Sequence, residues 1–166
     1  MGNFGLKQMW DTPLTANDVT AKEELGAIRY ENDVTNGGMK VYRYVKAAAD
    51  TTVANGTVLT FSDVYRTTVT NDISDTKANF PAGVGIGAIT ASSHGWIQIQ
   101  GYHSAVITNA DDDIAKGDTL IVDTDEDGQC ESVAAGTAST YLPLGIAAAD
   151  DVDASDTVAA FLCVPV

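Results

Sequence analysis

The chain has 166 residues, 45% apolar and 19% charged, with 9 Lys and Arg against 23 Asp and Glu for a net charge of −14. That composition excludes wholesale disorder and points to one domain plus an appendage, with core enough to fold without staples. The charge repels phosphate backbones, and no apolar run approaches the roughly 18 residues of a spanning helix, so neither nucleic acid nor membrane is an expected partner.

Val, Ile and Thr number 16, 10 and 19 against 8 Leu. Branching at Cβ restricts χ1 in a helix and suits a pleated surface, so strands are expected. The acidity is uneven: residues 81–166 carry 13 acids and only Lys116 as a base, while residues 1–80 are close to balanced. This predicts a solvated acidic half and a more neutral half free to meet a partner. Residues 1–10 lack the apolar stretch of a secretory leader, so the chain is expected to be made in the cytoplasm.

In chain order, residues 1–26 are the least strand-like and predict an extended N-terminal arm ahead of a domain spanning 27–166. Phe4, Leu6, Met9 and Trp10 are large apolar groups in a polar setting, so they must dock on this domain, a sister subunit or another protein. A short helical turn is expected within 16–25, with Gly26 as its stop. Residues 27–31 and 39–46 form a hairpin around Asn36-Gly37-Gly38, whose residues tolerate positive φ. In its second strand Met39, Val41 and Val45 share one face, while Tyr42 and Tyr44 share the other. That pattern predicts core on one side and a neighbour on the other.

Residues 57–61 predict the next strand, and 62–82 a polar loop or edge excursion that contacts something. Strands follow at 84–89 and 96–100, the latter with Ile97 and Ile99 inward and Gln98 and Gln100 outward. Residues 104–108, the buried run 119–122, 144–148 and 158–164 complete the set, separated by acidic turns at 109–113 and 123–128. Turn signals every 8–12 residues, without βαβ alternation, predict an all-β antiparallel barrel or sandwich.

The chemistry-bearing motifs are sparse. Gly83-Val84-Gly85-Ile86-Gly87-Ala88 fits a dinucleotide fingerprint formally, but it runs into strand and not helix, so the glycines read as close-packing positions. Asp123, Asp125 and Asp127 alternate ahead of Gly128, as in the first half of a calcium loop. The twelfth place is Ala134, not Glu, so calcium is a weak candidate beside an acidic hairpin turn. His94 and His103 lack a third ligand at metal spacing, and Ser92-Ser93-His94 lacks a nucleophile elbow. Cys163 reads as a small core residue and Cys130 as partly buried, with pairing open if their strands are neighbours. No cofactor and no enzymatic activity are expected.

Three stretches carry a resemblance to a known family. They are Val41-Tyr42-Arg43-Tyr44-Val45-Lys46-Ala47 with the later Ala54-Asn55-Gly56; Gly95-Trp96-Ile97-Gln98-Ile99-Gln100-Gly101 leading through Ile114-Ala115-Lys116-Gly117-Asp118-Thr119-Leu120; and Leu144-Gly145-Ile146-Ala147 with the closing strand. In these the chain resembles the small β-rich capsid decoration (cement) proteins of tailed bacteriophages. The resemblance implies a virion structural protein that sits on the capsid surface as a homotrimer or other small oligomer. Its partner would be the major capsid protein, and it would catalyse nothing. With it, Phe4, Leu6, Met9, Trp10, Tyr42 and Tyr44 are the expected capsid or subunit interface. The alternative is a head-fibre or tail appendage module that binds carbohydrate or a host cell surface, for which Trp96, Tyr102 and Tyr141 would have to share an exposed groove. A third reading is a calcium-stabilised extracellular β domain.

Overall fold

Among the described residues the β-branched composition resolves into ten strands. A computed structural model describes residues 10–73, 80–109, 113–133, 137–151 and 156–165, and no helix forms among them. The strands are β1 (Ile28–Asn32), β2 (Met39–Ala47), β3 (Val58–Phe61), β4 (Thr68–Thr70), β5 (Pro81–Gly85), β6 (His94–Ile107), β7 (Thr119–Val122), β8 (Cys130–Val133), β9 (Gly145–Ala147) and β10 (Thr157–Cys163).

Five strands close on themselves. β2 pairs with β4, β4 with β3, β3 with β5, β5 with β6, and β6 with β2. From β6 the sheet continues through β10, β9, β7 and β8. A parallel bridge between Thr108 and Cys130 then returns the last strand to the end of β6. The all-β barrel-like fold agrees with the expectation from composition, with one departure in strand sense. β2 and β4 run parallel, with Lys46 opposite Thr68.

One core serves both halves. Val45, Leu59, Val84 and Ile97 from the ring join Leu120, Leu144 and Leu162 from the extension in a single buried cluster. Burying each such side chain stabilises the fold by about 1.5–3 kcal/mol.

β6 is the spine. It was expected as two pieces, 96–100 and 104–108, and is one 14-residue strand. Gly101 makes this possible: its φ is +92°, and a Cβ there would lie 2.4 Å from the Met39 carbonyl oxygen. Gly85 is tighter still, with a hypothetical Cβ 2.2 Å from the Ala54 oxygen, which supports close packing over a cofactor loop. The strand expected at 84–89 lies earlier, at Pro81–Gly85, because only that part pairs with β3 and β6.

The helical turn expected within 16–25 is absent; bends and turns take its place. Asp18 pairs with His94 as a strand residue would, the two exchanging backbone hydrogen bonds of 2.9 and 2.8 Å. Gly26 donates to the Tyr44 carbonyl at 2.8 Å, and Tyr44 donates to that of Ala27 at 3.0 Å. These backbone groups are committed to the sheet and cannot close helical turns.

Candidate functional site

Of the expected interface residues, Phe4, Leu6 and Met9 lie outside the described residues. The structure brings Trp10, Tyr42 and Tyr44 together, but in an intramolecular seam. Tyr42, Tyr44 and Trp96 form a second buried cluster, against which Trp10, Leu14, Leu25, Ala27 and Ile86 pack. Tyr44 is 0% exposed and Trp96 is 1% exposed. The tyrosine face of β2 therefore does have a neighbour, and it is the chain's own arm. Tyr42 and Tyr44, expected at the capsid or subunit interface, are instead covered within the chain.

The seam is specific in geometry. Trp10 meets Trp96 edge to face at 5.0 Å between centroids, and Tyr44 meets Trp96 at 5.2 Å. The Trp96 indole donates to Thr12 Oγ1 at 2.9 Å. Glu23 Oε1 accepts from the backbone of Asp11 and Thr12, at 2.7 and 3.1 Å, and from the Thr12 hydroxyl. Arg29 donates to the Thr12 carbonyl at 3.0 Å, lies 5.8 Å from the Trp96 ring centroid, and pairs with Glu31. Burial, with Glu31 and Asp33 nearby, pushes the Tyr42 phenol up to about 12. Burial raises the Tyr44 phenol as well.

The same seam hides Gln98. It leaves the barrel interior as expected, yet it is buried beside Tyr42, its partner across β2 and β6. Its Nε2 donates to the carbonyls of Gln100, Gly101 and Tyr102 at 3.1–3.2 Å, where the strand bends. Trp96 lies under the arm, so it cannot join Tyr102 and Tyr141 in an exposed aromatic groove.

The acidic turn is organised around its own backbone. Asp123 is buried; its Oδ1 accepts from the N–H groups of Asp125 (2.7 Å) and Glu126 (3.0 Å), and its Oδ2 from the Asn109 amide (3.2 Å). Asp127 accepts from the Ile73 N–H at 3.0 Å, tying the turn to the end of the β4 region. Among the described residues no three His, Cys, Asp or Glu side chains are grouped to hold a metal ion. His94 bonds the Asp18 carbonyl through Nδ1 at 3.1 Å. His103 is buried between the Gly85 carbonyl and the Ala105 N–H, and desolvation lowers its pKa. Cys130 is buried. Cys163 is free and exposed, not a core residue, because odd positions of β10 face out.

The surface that sequence reasoning missed lies on the extension. Tyr102 on β6 is opposite Phe161 on β10, Phe161 is opposite Ile146 on β9, and Ile146 is opposite Thr119 on β7. Directly opposed residues share a face, so these form one row across four strands. Phe161 is 52% exposed and Ile146 is 49% exposed, and the Tyr102 and Phe161 rings meet at 5.6 Å. The signal was available in the alternation of 157–163, where Ala160 and Leu162 take the core and Phe161 is left outside.

No family model and no curated protein matches the chain. Among solved structures it is similar to the N base of the head fiber protein gp8.5 of bacteriophage phi29. The two share 18% identity and a TM-score of 0.47, over 75% of this chain and 94% of that one. A likeness this loose carries no argument about function.

Proposed function

We propose that the chain is an accessory structural protein of a virion, seated on the capsid surface as a small oligomer and binding the shell of major capsid protein. It acts by adhesion and catalyses nothing. The observation that carries this reading is the row Tyr102–Phe161–Ile146, an apolar strip in which Phe161 and Ile146 are exposed and Tyr102 is half-buried. Exposed apolar rows of this kind are found where another protein docks. The sequence resemblance to phage decoration proteins supports the same conclusion.

The mechanism is linkage. A protein that binds only the assembled shell stabilises it by RT ln(1 + [L]/Kd), about 2.7 kcal/mol at a hundredfold excess over Kd. An oligomer multiplies weak contacts through effective concentration. A carboxylate in the middle of the strip would have to be desolvated on docking, so Phe161→Asp should abolish binding without unfolding the chain. The test is cosedimentation of wild type and Phe161→Asp with purified phage heads that lack the protein. Saturable binding of wild type alone supports the proposal; no binding by either, or equal binding by both, defeats it.

A further inference from the structure

Where β3 ends and β5 begins, Phe61, Ser62, Asp63, Val64, Arg66 and Phe80 line a groove of about 360 Å³. A smaller recess continues it past Pro81, Leu142 and Pro165. The volume suits one or two side chains. Its rim is unusually apolar for exposed surface: Val64 is 89% exposed, and Phe80 and Leu142 are also in solvent.

Two guanidiniums serve this apolar wall. Arg66 is exposed on it, with φ of 56°. Asp63 holds the loop there by accepting from the Thr67 N–H at 2.9 Å and the Thr67 hydroxyl at 2.7 Å. Arg43 comes from beneath, on the β2 face that Val45 shares with the core. It is 9% exposed, and its guanidinium lies 5.5 Å from the centroid of the Phe61 ring that walls the groove. Its Nε is buried with no hydrogen-bond partner. Among the described residues the ion pairs are Arg29–Glu31 and Lys40–Asp33, so neither Arg43 nor Arg66 has an acid partner there. Among the described residues at the groove, two guanidiniums thus stand beside one carboxylate, that of Asp63, which accepts from Thr67. Desolvation and the charge of Arg66 both lower the Arg43 pKa, as expected for two cations close together without an anion.

We infer that this groove binds an acidic peptide segment of another protein, with an Asp or Glu carboxylate at Arg66 and the adjacent apolar side chain between Phe61 and Phe80. Charge complementarity selects the occupant. A local positive surplus over apolar walls matches a carboxylate beside a hydrophobic group. A polyanion or a second copy of this chain would bring many negative charges against a chain carrying −14, whereas a short segment brings one or two to the local positive surplus. The inference stands apart from the virion proposal, since it concerns a different surface.

The experiment uses the full chain and two fluorescein-labelled heptapeptides, one with Asp-Phe-Glu between pairs of glycines and one with Asn-Phe-Gln there. Fluorescence polarisation should show the acidic peptide binding at least about tenfold more tightly, weakening as salt is raised. Arg66→Asn tolerates the same φ, so it should keep the fold while losing about tenfold in affinity, and Arg66→Lys should retain most of it. Equal affinity for both peptides, an undiminished Arg66→Asn, or no binding at about 1 mM peptide overturns the inference. So does free phenylacetate binding as tightly as the acidic peptide, or self-association of the chain that Arg66→Asn abolishes.

Discussion

Replacing Trp10 by Ala tests the seam that joins the arm to the barrel. Deleting a fully buried Trp costs about 3–5 kcal/mol. Trp10 is partly buried and packs on Trp96 at 5.0 Å, so roughly half of that, about 2 kcal/mol, is expected. For a chain of this length each kcal/mol lowers Tm by about 2–4 °C, giving a fall of about 4–8 °C by calorimetry. Fluorescence supplies a second readout, because the chain has two tryptophans and the variant's emission comes from Trp96 alone. That emission should become accessible to acrylamide as the arm loosens. Thr12→Val, which removes the acceptor of the Trp96 indole, should be non-additive with Trp10→Ala because both act on one ring. A Tm within about 1 °C of wild type, with Trp96 still shielded, would refute the intramolecular seam.

Three further outcomes are expected. Gly101→Ala forces a side chain into positive φ and to within 2.4 Å of the Met39 oxygen, so urea unfolding should show a loss of at least about 1–3 kcal/mol. Asp123→Ala leaves the Asp125 and Glu126 N–H groups without their acceptor and should lower stability by about 1–3 kcal/mol, while added calcium should not shift the wild-type Tm. His103 is neutral in both folded and unfolded chains well above pH 6.5. Because burial lowers its folded pKa, the unfolded chain takes up the proton first as pH falls. Stability should therefore decline from about pH 6.5 down to the lower folded value, and urea titrations of His103→Gln should show that slope reduced.

Local pattern carried much of the fold. The alternation and turn chemistry of 27–31 and 39–46 gave the β1–β2 hairpin, and β3, β7, β9 and β10 fell near their expected places. β4, with three residues, is too short to show a period, and Cys130-Glu131-Ser132-Val133 alternates too weakly to announce β8. The parallel β2–β4 pair depends on the path of 62–67, which no propensity encodes. The candidate site was less legible. The two-sided apolar pattern of β2 predicts a cover over Tyr42 and Tyr44, but it cannot say whether that cover comes from the same chain. Trp96, Thr12 and Glu23 meet only in three dimensions, and the alternation that puts Arg43 on the face of Val41 and Val45 does not show that its guanidinium reaches Phe61.

The claim that most needs testing is adhesion to a viral head. Cryo-electron microscopy of purified phage particles made with and without this chain addresses it directly. Density for a β-barrel-like domain on the outer face of the shell, with the Tyr102–Phe161–Ile146 row turned into a contact, is the predicted result. Particles in which such density is missing from the head, or in which that row faces solvent, would contradict it.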